Sequence, residues 1–200
     1  TNHSDLYNVV ALRDGVHVAS NSYDKTVRVW PWQDVTTTLF VKVFVDFLNG
    51  LAQVGPNTLA VSDSSGYLWL IDATNGNTLA TLPGLLPWAR AIYCIRTYTN
   101  STVLLGGDYG AGALFDWQSN QILWSNGNYT TDQNTYVTDM DFSHIDGTLL
   151  FRNNTGVYVF DWHSANNYIS TITGINFYSL LVFPSKYIYI YIYIYIYKFE

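Results

Sequence analysis

Two hundred residues make one ordinary domain, but only 12% of them are charged, against about a quarter in an average soluble domain. Aromatics reach 17%, with seven Trp and seventeen Tyr, and the acids are fourteen Asp against a single Glu, Glu200. Asp prefers turns and caps, whereas Glu, Lys, Leu and Ala build helices, so the composition excludes helical bundles and disfavours doubly wound α/β folds. A hydrophobic fraction of 48% is enough for a sizeable core and excludes global disorder. The net charge of −6, with nine basic residues scattered along the chain, argues against nucleic-acid or anionic-membrane binding.

Cys94 is the only cysteine, which excludes an intrachain disulfide and multi-Cys zinc. It fits a cytoplasmic or nuclear location, with a secreted or cell-surface one as the alternative. The most apolar stretches, 39–51 and 175–197, are interrupted by Lys42, Asp46, Pro184 and Lys186 and do not read as spanning helices.

Period-two alternation between turn signals predicts strands throughout. The first unit reads as strands at about 6–12, 16–21, 26–31 and 37–45, with turns at Asp14-Gly15 and Tyr23-Asp24-Lys25. The second turns at Gly55-Pro56-Asn57, Ser64-Ser65-Gly66 and Asn75-Gly76-Asn77, the third at Thr99-Asn100-Ser101 and Tyr109-Gly110, and the fourth at Asp146-Gly147 and Asn153-Asn154. The Asp excess falls mainly in these turns and at strand ends.

Four segments share one layout: SYDKTVRVWPW (22–32), DSSGYLWLIDA (63–73), GDYGAGALFDW (107–117) and NNTGVYVFDW (153–162). Their anchor residues, Trp30, Ile71, Phe115 and Phe160, are 41, 44 and 45 residues apart. A period in the low forties with several short strands per unit is that of propeller blades, each a four-stranded sheet. The expected fold is therefore all-β, a β-propeller of four-stranded antiparallel blades. Four repeats span about 1–45, 46–88, 89–130 and 131–174, with a partial fifth at 175–183. Residues 184–200 form a low-complexity tail around YIYIYIYIYIY (187–197), whose alternation puts every Tyr on one face of a strand. Such a strand is an aggregation hazard, and a Tyr-Ile tract is also what a TA dinucleotide repeat encodes.

The stretch LYNVVALRDGVHVASNSYDKTVRVW (6–30) resembles a WD-repeat blade over its whole length, through its DG turn, its ASxSxD turn and its TVRVW strand. The resemblance implies a structural hydrogen-bond set of Ser20, Asp24 and Trp30, joined by a His from the preceding loop, for which His3 is the candidate, one residue off the usual place. It also implies a non-enzymatic scaffold that binds proteins or peptides at its rim, with Tyr23 and Lys25, flanking the turn Asp, as contact candidates. Rings of this family close with about seven blades, so four and a fraction make an incomplete ring. Open blade edges or the Tyr-Ile tail would then favour self-association. The other units lack the Asp and Trp of the pattern. IDATNGNTLAT (71–81) and FDWQSNQILWS (115–125) look as much like quinoprotein-type repeats, so a propeller that binds a small molecule is the alternative.

No motif for catalysis, cofactor or metal emerges. His3, His17, His144 and His163 lack metal-ligand spacing. GGDYGAG (106–112) is flanked by strands and no Lys follows, so it reads as a glycine-rich hairpin and not a phosphate loop. Asp139 and Asp141 share a strand face but sit at an inner-strand position, and Cys94 reads as a small core residue. Trp32, Trp117 and Trp162 recur at one repeat position, where packing between blades is favoured over an aromatic recognition ring.

Overall fold

A computed structural model describes residues 5–34, 36–86, 89–126, 135–143 and 147–161, with strand segments at 168–173, 180–182 and 188–190. Its elements are strands; among the described residues there is no helix, and hence none long and apolar enough to cross a membrane. Sheet 1 comprises β1 (Leu6–Ala11), β2 (His17–Ser22), β3 (Thr26–Pro31) and β4 (Phe40–Val43). Sheet 2 comprises β5 (Leu48–Gly55), β6 (Thr58–Asp63), β7 (Leu68–Asp72) and β8 (Thr78–Leu82). Sheet 3 follows as β9 (Ile92–Thr97), β10 (Thr102–Gly107), β11 (Gly112–Asp116) and β12 (Gln121–Ser125), and sheet 4 as β13 (Asp139–Phe142), β14 (Thr148–Arg152), β15 (Gly156–Asp161) and β16 (Tyr168–Thr173). Within each sheet the strands pair antiparallel in chain order. A two-stranded sheet of β17 (Leu180–Val182) and β18 (Ile188–Ile190) follows. In the Tyr-Ile tract only β18 lies within the described residues.

The sheets stack in series. The first strands lie side by side, β1 beside β5, β5 beside β9, β9 beside β13 and β13 beside β17. Alternation along each strand supplies two apolar faces, and each junction between sheets has its own core. Val10, Ala19, Val27 and Val29 of sheet 1 meet Leu59, Val61 and Ile71 of sheet 2. On its other face, sheet 2 packs Ala60, Leu68 and Leu70 against Val103, Leu105 and Phe115 of sheet 3. Sheet 3 in turn sets Leu104, Leu114 and Trp124 against Met140, Leu149, Phe151 and Phe160 of sheet 4. The anchors Ile71, Phe115 and Phe160 are almost fully buried, each against the preceding sheet.

Sheet 1 has no such neighbour among the described residues, and Val9, Val41 and Val43 on its outward face stay exposed. The far face of sheet 4 differs, because Leu150, Val157 and Val159 there are buried.

The low charge follows from this stacking, since β6 and β10 are buried along their whole length. Asp serves the turns as expected: Asp34 accepts from Thr36 N at 3.0 Å, Asp72 from Thr74 N at 2.7 Å and Asp116 from Gln118 N at 2.9 Å. The GGDYGAG segment is a hairpin between β10 and β11, with Tyr109 and Gly110 at φ 57° and 69°. Gly107 borders that hairpin, where a Cβ would stand 2.6 Å from the Ala91 carbonyl oxygen, so the connection from sheet 2 can close over it only at a glycine.

Candidate interaction surface

In four antiparallel strands taken in order, the turn between the second and third strands lies at the same end as the link to the next sheet. Hydrogen bonds tie these two kinds of loop together at every described junction. Lys25 Nζ donates to the Val45 carbonyl at 2.9 Å, and Ser65 Oγ donates to Asp46. Arg90 N and Ala91 N donate to Asp108 Oδ2 at 3.0 and 3.1 Å, and Asn126 Nδ2 donates to the Gly110 carbonyl at 2.9 Å. The loops at this end are thus braced on one another across sheet boundaries.

Aromatic rings collect at that end. Tyr23, in the β2–β3 turn, stacks on Phe47 of the link to sheet 2 at 4.0 Å between centroids and 11° between planes. Tyr7 extends the stack on the other side at 6.3 Å. Tyr7 and Tyr23 nevertheless remain 53% and 44% exposed, so the stack presents ring surface to solvent. One sheet on, exposed Tyr67 lies 5.8 Å from Trp69, whose indole meets Phe44 edge-on. At the next junction Tyr93 pairs with exposed Tyr136 at 5.2 Å. Burial, then the neighbouring Asp108 carboxylate, pushes the Tyr93 phenol up to about 12, so it stays neutral.

Of the contact residues expected from sequence, Tyr23 is central to this surface. Lys25 adopts φ 65° in the same turn, and its ammonium lies 4.7 Å above the Phe47 ring. Its positive charge supports the stack from within the chain. Tyr7, Phe47, Tyr67 and Tyr136 were not singled out by sequence reasoning. The signal for Phe47, Tyr67 and Tyr136 is positional, since each lies at or beside a second-to-third turn or an intersheet link, whereas Tyr7 lies at the start of the first strand.

Three of the residues expected to form a structural hydrogen-bond set, Ser20, Asp24 and Trp30, lie in sheet 1 or its second-to-third turn. Ser20 is fully buried on β2 opposite Arg28, and Trp30 lies two residues along on the same face, opposite Val18. Asp24 accepts from Thr26 N at 3.0 Å and Thr26 Oγ1 at 2.6 Å, and pairs with the Arg28 guanidinium at 3.1 Å. His3 lies outside the described residues. In sheet 2 the carboxylate has moved two places back to Asp63, which accepts from Ser65 N, Tyr67 N and Trp69 Nε1. In sheet 4 Asn153 does similar work for Thr155 and Gly156.

Asp139 and Cys94 are engaged in contacts between sheets. Asp139 is nearly buried and receives Arg96 at 2.7 Å, joining sheets 4 and 3. The Cys94 thiol, packed against the core between those sheets, donates to Val137 O at 3.4 Å, and burial pushes its pKa up. Trp117 packs on the core between sheets 2 and 3, whereas Trp32 is exposed and Trp162 lies outside the described residues. Among the described residues no group of three or more His, Cys, Asp or Glu could hold a metal ion.

No family model matches this chain, and no curated protein is significantly similar to it.

Proposed function

We propose that the stacked sheets are blades of a β-propeller of the WD-repeat kind, and that the chain is a non-enzymatic scaffold docking proteins or peptides on its aromatic end. The observation that carries this reading is the Tyr7–Tyr23–Phe47 stack, whose two Tyr rings are exposed yet fixed on a strand and a turn braced against the link between two sheets. Rigid aromatic rings lose little entropy on binding and offer large contact areas, which makes them favoured anchors at interfaces. The serial stacking, with first strands side by side and a buried anchor in each later sheet, supports the propeller reading.

A photo-crosslinking phenylalanine at position 23 tests the function, with position 79 on the outer strand of sheet 2 as control. Discrete protein adducts are expected from position 23 and not from 79. Tyr23→Ala should weaken binding of the crosslinked partner roughly 30-fold, as loss of an interface anchor does. Equal labelling at both positions, or unchanged affinity after Tyr23→Ala, would remove the aromatic end from the binding surface.

A further inference from the structure

We propose that a slot between sheets 1 and 2, at the end opposite the aromatic surface, binds an indole ring supplied from outside the chain. The repeat itself identifies the slot. Trp117 N donates to Ser101 O at 2.9 Å, and Ala73 N donates to Asn57 O at 2.9 Å, so the two residues hold equivalent places just after the third strand. The Trp117 ring lies between sheets 2 and 3, over Gly55, where a Cβ would come within 3.5 Å of its Cζ2. One sheet earlier the same place holds only Ala73, and a cavity of about 240 Å³ opens there. Asp14 and His17 stand where Gly55 and Thr58 stand in the filled slot, by the same register.

The walls suit a flat apolar ring with one N–H. Leu12 and Ala73 are nearly buried and give an aliphatic floor, and Leu39 stands at the side. Gln53 is locked, its Oε1 accepting from Arg13 N and its Nε2 donating to Pro56 O, both at 2.7 Å. Asp14 accepts from Val16 N at 2.8 Å, His17 N at 2.9 Å and the His17 ring at 2.7 Å. A carboxylate has about four acceptor sites, so one remains. The Val16 and His17 bonds hold the Asp14 carboxyl down to about 2, so it is ionised at neutral pH. Trp117 Nε1, by contrast, is buried without a partner in its own slot. An indole between sheets 1 and 2 would meet the carboxylate that Trp117 lacks.

The test is a titration of the full chain with indole, and separately with N-acetyltryptophanamide, followed through methyl resonances. Saturable shifts are expected at Ala73, Leu12 and Leu39, with none at Ala113 in the core between sheets 2 and 3. Ala73→Trp should fill the slot from within, raise Tm and abolish the response. Asp14→Asn, which leaves the pocket shape intact, should weaken indole binding roughly tenfold by removing a charged acceptor. A response to both probes assigns the slot to a tryptophan side chain of a peptide, and a response to indole alone to a free ring. No saturable shift at Ala73, equal shifts at Ala113, or an undiminished response in both variants would overturn the assignment.

Discussion

Phe115→Ala is expected to lower the free energy of unfolding by about 3–5 kcal/mol, the usual loss for emptying an aromatic core site. Phe115 is 1% exposed and sits where sheet 3 meets sheet 2, among Leu70, Leu105 and Val103. The neighbouring strands are held in their sheets by antiparallel ladders, so the void cannot close easily. Trp30→Ala, at the equivalent position of sheet 1, should cost only about 1–2 kcal/mol, because Trp30 is only partly buried and no preceding sheet lies over it among the described residues, so less of its area is removed from water on folding. Urea unfolding of the two variants measures the difference. A cost at Trp30 equal to that at Phe115 would mean that the outward face of sheet 1 is as well packed as an interior junction.

Asp63→Ala is expected to cost about 2–4 kcal/mol, since each buried donor left unpaired costs about 1–3 kcal/mol and some regain water. The Asp63 side chain is nearly buried, and its two oxygens serve three donors: Oδ1 takes Ser65 N at 3.0 Å and Tyr67 N at 2.9 Å, and Oδ2 takes Trp69 Nε1 at 2.8 Å. Asp63→Asn should lose about half as much, keeping one oxygen for the two amides and facing the indole with an NH₂ group. The same substitutions should loosen Trp69, seen as a red shift of its fluorescence. If Asp63→Ala were as stable as the wild type, the turn would not depend on this carboxylate.

The division into four sheets was legible because it is written in local, repeated signals. Turn pairs such as Asp14-Gly15 and Tyr109-Gly110 sit where the chain reverses, and alternation places Ile71, Phe115 and Phe160 on one face each time. The carboxylate of the second-to-third turn was harder to read. Matching Asp24 by position leads to Ser65, whereas the bonding role passes to Asp63, because a carboxylate reaches the turn amides from either place.

The aromatic surface was legible only through Tyr23. Tyr7 and Phe47 flank that ring in space but lie on the first strand and on an intersheet link, and only the stacking of sheets 1 and 2 brings the three together. The Arg96–Asp139 pair is hidden for the same reason, with partners 43 residues apart on adjoining first strands. The indole slot is visible only when two junctions are set side by side, Ala73 standing in one where Trp117 stands in the next.

Hydrogen–deuterium exchange along the whole chain measures the stacking on which both surfaces rest. Amides of β6 and β10 should exchange slowest, being buried on both faces, and those of β4, β8 and β12 fastest, because these outer strands are largely exposed. Uniform exchange across the four strands of each sheet, or faster exchange in β6 and β10 than in the outer strands, would show that the sheets do not stack face to face in series.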